Sequence, residues 1–290
     1  MDLHPLLARL GVDAPLSADL ATLRRLHRAW RTRVPYENVD IQLGRPVRLD
    51  PEALLDKFGR RSRGGFCYEM NGALALLLRS VGFAVDVVES GVLAVVRGDG
   101  AWGNHVALLV TIDGERWVAD AGIGDAFLEP LPLREGEHRQ GGLGYRIERL
   151  DAGTWRIHHH PGGSVASYDL RTAPRDLGDF AGRCQELATS PDSPFVRVLL
   201  AQHHRDGQEL ALRGRTVAAP DGQRVIGGVE EFVEVLDRFR IPVDDLGDDG
   251  VAVLWERTGG QHAAWLELQA RATTSVSGGS GPGGDGPAGR

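Results

Sequence analysis

Cysteine and lysine are both scarce in this 290-residue chain: Cys67 and Cys184 are the two cysteines, and Lys57 is the only lysine among many arginines. Two cysteines exclude a disulfide framework and fit a reducing compartment. The lysine deficit reads as a compositional bias. An excess of positive charge is also missing, and a formal net charge of −7 argues against a nucleic-acid binder, which would present a basic face. No apolar run approaches a membrane span, and residues 1–11 lack the basic-then-apolar order of a secretory leader. The expected setting is the cytoplasm, with neither membrane nor nucleic acid as partner. No GxGxxG or Walker-type loop occurs, so nucleotide hydrolysis and dinucleotide binding have no support.

What is present belongs to an ordinary globular protein, with 42% apolar and 25% charged residues and enough length for two or three packed subdomains. Residues 1–82 read as helices. Leu20, Leu23, Leu26, Ala29 and Trp30 recur at helical spacing with Ser17 as N-cap, Asp50-Pro51 opens a helix through Phe58, and a third runs from Cys67 to Ser80. From Phe83 the chain turns β-branched. Strands are expected at 84–88, 92–96, 106–112, 116–119, 145–150 and 154–158, forming an antiparallel sheet or small barrel over 83–192. Residues 193–272 mix strands with a helix at 228–239 and read as an α/β cover. Residues 273–290, dominated by Gly, Ser and Pro, are expected to be a disordered tail.

Cys67 follows Gly64-Gly65-Phe66 and opens the third helix. A thiol in a helix's first turn feels unpaired backbone N–H groups, which favour the thiolate and can hold an oxyanion. A nucleophile also needs a base and a group that orients the base. The run from Asn104 to Asp120 supplies both. Asp113-Gly114 is a two-residue hairpin turn. If Ile112 pairs with Glu115, Asp120 falls opposite Ala107, and His105 shares Ala107's face. His105 and Asp120 are then diagonal neighbours about 7–8 Å apart at the backbone, within side-chain reach. Each fits a plain structural role when taken singly; together with a helix-start cysteine they form the candidate triad Cys67, His105, Asp120 of a papain-like cysteine enzyme.

Other groupings are weaker. His158, His159 and His160 alternate along an expected strand, but no cysteine or carboxylate accompanies them at ligand spacing, so no metal site is assigned. His203 and His204 have no better claim. Arg60, Arg61 and Arg63 read as a solvated face, with the phosphates of a bulky substrate as the other use. Glu37 and Asn38, in a proline-led turn, point to buried hydrogen bonds.

The chain resembles the arylamine N-acetyltransferases through Val34-Pro35-Tyr36-Glu37-Asn38-Val39-Asp40, Arg63-Gly64-Gly65-Phe66-Cys67-Tyr68-Glu69-Met70-Asn71, His105 opening a strand, Val118-Ala119-Asp120-Ala121-Gly122-Ile123-Gly124, and Ser190-Pro191-Asp192-Ser193-Pro194-Phe195. The resemblance implies an α+β fold of three subdomains: an N-terminal helical bundle with the cysteine, a central antiparallel β-barrel with the histidine and aspartate, and a C-terminal α/β lid. It also implies a ping-pong reaction in which Cys67 takes the acetyl group of acetyl-CoA, or another acyl thioester, as co-substrate and passes it to an arylamine or arylhydrazine, with no cofactor. Ser90-Gly91-Val92 stands where the family usually has an arginine-valine pair, and Tyr36 and Ile123 where many members have phenylalanine. Those positions mark Tyr36, Val92, Ile123 and Phe127 as the expected acceptor pocket. An amide synthase resembling the macrolactam-forming branch, fed by an acyl carrier protein, is the alternative; a cysteine hydrolase or a non-catalytic binding protein lies further off.

Overall fold

The computed structural model describes residues 2–205 and 208–277. The first part is helical: α1 (His4–Leu10), α2 (Leu20–Arg33), the short strand β1 (Tyr36–Glu37), α3 (Val39–Gln42), α4 (Pro51–Leu55) continuing as a π-helical turn Asp56–Arg60, and α5 (Cys67–Val81). Next come β2 (Ala84–Val92), α6 (Ala94–Arg97), β3 (His105–Ile112), β4 (Glu115–Val118), β5 (Leu131–Pro132), β6 (Gly136–Gln140), β7 (Leu143–Arg149), β8 (Thr154–His158) and β9 (Ser167–Arg175). Two helices, α7 (Ala181–Thr189) and α8 (Pro194–Arg197), lead to β10 (Leu200–Arg205), β11 (Gln208–Arg213), β12 (Thr216–Ala219), β13 (Gly222–Val225), α9 (Val229–Arg238) and α10 (Gly247–Ser277).

The middle strands form an antiparallel, nearly closed barrel in the order β5-β4-β3-β2-β9-β8-β7-β6. The last four strands form the lid sheet, which gains β1 from the N-terminal part at its edge, giving β1-β10-β11-β12-β13. Among the described residues no helix is long and apolar enough to cross a membrane.

Period-two alternation in β3 explains how the barrel holds the helix. Val106, Leu108 and Val110 join the core around α5, with Met70, Leu74, Leu77 and Leu78. Ala107, Leu109 and Val118 belong to a separate core inside the barrel. A strand buried on both faces reads as continuous apolar sequence. The turn at Asp113-Gly114 has positive φ at both residues, 50° and 83°, and sets Ile112 opposite Glu115, the register inferred from the turn.

Four local expectations need correction. Asp19, not Ser17, caps α2: its carboxylate accepts from Thr22 N–H at 2.8 Å. Residues 92–96 are not a separate strand. β2 runs on to Val92, Leu93 takes φ 60°, and the chain turns into α6, leaving Val95 and Val96 63% and 81% exposed. His158 ends β8, so His159 and His160 lie beyond the strand. At the far end α10 runs through Ser277, five residues into the stretch read as a tail. Once a helix is nucleated each further residue adds a hydrogen bond for little extra ordering. Residues 278–290 lie outside the described residues.

Candidate active site

Two consecutive glycines bring α5 to its position. A β-carbon at Gly64 would lie 2.0 Å from the Pro35 carbonyl oxygen, so only glycine lets this segment run flush against β1. Glu37 N–H then donates to Gly65 O at 3.0 Å. Glu69, at the helix's third position, accepts from Phe66 N–H at 3.3 Å and takes the single lysine, Lys57, at 2.7 Å. That lysine is buried and also meets Asp40 at 2.7 Å. The arginine run is likewise structural. Arg63 is fully buried against Glu37 (2.8 Å), Asp245 (2.9 Å) and Asp40 (3.3 Å), Arg61 pairs with Asp245 at 2.7 Å, and Arg60 with Asp56 at 3.4 Å, so the phosphate use is ruled out for Arg63. Glu37 also accepts from Gly64 N–H and Val39 N–H, while Asn38 ties the N-terminal part to Phe195, Val198 and Leu200.

Cys67 is buried, with Sγ 3.9 Å from the Asn104 carbonyl oxygen, next to His105. His105 Nε2 lies 2.7 Å from Asp120 Oδ2. With Nε2 held there, Nδ1 is the free ring nitrogen. Asp120 Oδ1 accepts from Asn71 Nδ2 and from Gly122 N–H, both at 2.8 Å. Burial would raise the Asp120 carboxyl, but the charge of His105 and the bonds from His105, Asn71 and Gly122 prevail and hold it well below the usual carboxylate range. For Cys67 the balance goes the other way. Burial pushes the thiol well above its ordinary value, Cys184 and Asp120 add to the rise, and the Tyr68 N–H at the helix start opposes it. The helix terminus acts in the expected sense, yet desolvation outweighs it.

Asn71 is the residue that sequence reasoning missed. It also donates to Val106 O at 2.6 Å and accepts from Ala121 N–H at 2.9 Å, pinning both sides of the hairpin. Its signal was available, since position 71 is one turn beyond Cys67 on the same helix face.

A family model described as N-acetyltransferase matches residues 19–246, and an arylamine N-acetyltransferase of Mycolicibacterium smegmatis is 33% identical over 263 residues, 85% of this chain and 94% of that protein. The chain belongs to the arylamine N-acetyltransferase family. A second relative, from Salmonella typhimurium and described as arylamine N-acetyltransferase / N-hydroxyarylamine O-acetyltransferase, is 32% identical over 219 residues, 72% of this chain and 76% of its own. Among solved structures, the Mycobacterium marinum arylamine N-acetyltransferase in complex with CoA superposes with a TM-score of 0.80 at 30% identity, covering 89% of this chain and 98% of that one.

For this family member, Ile123, Phe127 and half-buried Val92 sit together in the barrel core, with Phe127 stacked on His27 and edge-on to Tyr145. Tyr36 belongs to the other core and pairs with Gln202 and with Gly65. A cleft of about 990 Å³ opens between barrel and lid, lined by Gly124, Asp125, Gln202, His204 and Glu209 among others. Gly122 lies where everything converges: a β-carbon there would stand 2.6 Å from Asn71 Nδ2, 2.9 Å from His105 Cε1 and 3.0 Å from Cys67 Cα. Gly122→Ala is expected to lower kcat/KM about a hundredfold by displacing these groups, while far-UV circular dichroism stays as in the parent. Unchanged kinetics would show that the three groups tolerate displacement.

Proposed function

We propose that the chain is an acyltransferase that carries an acetyl group from acetyl-CoA on Cys67 and delivers it to the nitrogen of an arylamine or arylhydrazine. One observation carries this reading: a helix-start cysteine and an imidazole bonded to a buried aspartate crowd the same glycine. In the first half-reaction Cys67 Sγ attacks the thioester carbonyl carbon and the thiol proton passes to His105 Nδ1. The bond from carbon to the CoA sulfur breaks, and that sulfur leaves with the proton. In the second half the amine nitrogen attacks the acetyl carbon, His105 takes the proton the nitrogen sheds, and Cys67 leaves and recovers it. Asp120 holds Nε2 as the donor and stabilises the imidazolium. Backbone N–H groups at the start of α5 and beside β3 serve the tetrahedral oxyanion. Burial of Cys67 keeps water from the acetyl-enzyme.

In this reading residues 1–82 supply the nucleophile, 83–192 the base and its orienting carboxylate, and 193–272 the cover. Acetyl-CoA enters as co-substrate. Tyr36, Val92, Ile123 and Phe127 shape the acceptor pocket, and a cytoplasmic setting suits a chain whose two cysteines are both free.

Intact-mass spectrometry after mixing with acetyl-CoA is expected to show one acetyl group, absent in Cys67→Ala and discharged when 5-aminosalicylate or an arylhydrazine is added. No mass gain would overturn acetyl transfer and leave a longer or carrier-bound acyl donor, as in an amide synthase. Loss of the group to water, without amine, would favour a hydrolase.

A further inference from the structure

The two histidine runs, without a role in the mechanism, meet at the floor of the cleft. His160 follows β8 at one end of the barrel. His204, in β10, stands opposite Glu209 of β11. His160 Nε2 and His204 Nε2 each lie 3.9 Å from Glu209 Oε1, beyond hydrogen-bond distance. All three atoms are buried and have no hydrogen-bond partner. The two histidines are 6% and 5% exposed, and His204 and Glu209 line the cleft. A buried polar atom left unpaired is costly, and three such atoms beside one another at the edge of an open cleft call for a ligand.

Between His204 and Glu209 the missing element is a donor. His204 bonds to the Ala126 backbone, and burial, followed by the charge of Arg31, brings it down to about 3. It is therefore neutral, with Nδ1–H donating to the Ala126 carbonyl and a lone pair on Nε2. Glu209 Oε1 is likewise an acceptor when ionised; burial, followed by the charge of Asp125, raises its carboxyl, and a cation beside it would favour the ionised form. Two acceptors facing each other need something positive or proton-bearing between them. A tetrahedral zinc-type ion, with bonds of about 2.0–2.2 Å, would hold its donors roughly 3.4 Å apart, closer than the 3.9 Å found. Nor do any described residues form a group of three that could hold a metal ion. An N–H donor sits about 2.8 Å from each atom it bonds, and because the three atoms have almost no exposed surface the side chains must part slightly to admit it. A protonated amine offers three N–H groups and a charge that matches Glu209. Arg28 lines the same cleft but is taken by Glu129 at 2.7 Å, and Arg31 is turned to the Gly124 and Ala126 carbonyls.

Cys67, His105 and Asp120 do not line the cleft, but Gly124, which does, lies close to them. Gly124 follows Gly122 by two residues, at most about 7.6 Å away along the backbone. A β-carbon on Gly124 would meet Gln202, which shares a face of β10 with His204. We infer that His160, His204 and Glu209 form a subsite for a protonated aliphatic amine on the acceptor, remote from the nitrogen that is acetylated, so that the preferred acceptors are arylamines bearing a cationic aminoalkyl arm. This rests on the acyl-transfer reading above.

The test uses anilines with a para ω-aminoalkyl chain of two to five carbons, each against its neutral alkyl isostere. At least one length is expected to exceed its isostere about tenfold in kcat/KM, and Glu209→Gln is expected to remove that preference. Absence of preference at every length, an equal loss for charged and neutral acceptors, or a matching slowdown of acetyl-enzyme formation from acetyl-CoA would overturn the subsite. If no acetyl-enzyme forms at all, the acyl-transfer reading fails separately. The subsite then stands or falls on calorimetric binding of the same diamines to Cys67→Ala: weaker binding in the Cys67→Ala, Glu209→Gln double variant supports it, and unchanged or absent binding overturns it.

Discussion

Asp120→Asn is expected to lower kcat/KM by about three to four orders of magnitude while leaving the fold intact. The side chain keeps its shape and can still accept from Asn71 and Gly122 through Oδ1. The group facing His105 Nε2 at 2.7 Å, however, becomes an NH₂ donor. The imidazole must then accept at Nε2 and carry its proton on Nδ1, the nitrogen that has to take the thiol proton. Steady-state kinetics and intact mass after acetyl-CoA together read the loss, which should fall on both half-reactions. The same change alters acid stability in a defined direction. Because the folded carboxyl lies well below its unfolded value, its contribution is fully present above the unfolded pKa of about 3.9 and is lost as the pH falls further. The parent should therefore lose stability below about pH 4 more steeply than Asp120→Asn, as acid titration followed by circular dichroism would show. A loss of less than tenfold in kcat/KM would sink the assigned role of Asp120.

Arg63→Met should cost about 3–5 kcal/mol of stability, the penalty for removing one partner of a buried ion cluster. Arg63 is wholly enclosed, and its departure leaves Glu37, Asp40 and Asp245 without their shared cation. Against the burial that would raise it, Lys57 and Arg63 together bring Asp40 down to about 2; without Arg63, Asp40 keeps Lys57 and Asp245 keeps Arg61, but Glu37 is left buried without the guanidinium. The control is Arg60→Met, whose pair with Asp56 is exposed on both sides and should change stability by less than about 1 kcal/mol. Urea denaturation midpoints compare the two. Equal effects would mean that water enters and solvates the cluster once the guanidinium is gone.

How far the sequence could be read depends on the range of each interaction. The hairpin was legible because Asp113-Gly114 dictates its own geometry and the register follows by counting, which put His105 beside Asp120. The start of α5 was legible for a similar reason, as two glycines followed by an apolar run leave few alternatives. The end of β2 was not. Val92, Val95 and Val96 carry strand propensity, and nothing nearby announces that Leu93 turns to positive φ. Arg60, Arg61 and Arg63 look alike in sequence, yet one is exposed and one entirely buried. The difference is made by Glu37 and Asp40, which enclose Arg63, whereas Asp245, far along the chain, pairs with Arg61 and Arg63 alike. The thiol's burial, which outweighs the helix terminus, likewise comes from packing that local patterns do not express.

The strand carrying Tyr36 borrows its partner from residues 201 and 202, and Asp245 closes the cluster beneath the nucleophile's helix. Nearby sequence holds the start of α5 through Gly65 and the β3–β4 hairpin, but the β1–β10 pairing and the Asp245 link come only from residues beyond 200. The full setting of Cys67 therefore needs those later residues as well. A product terminated short of Asp245 would carry the thiol but not the setting that makes it useful, so the last third of the sequence acts as a completeness check on the first.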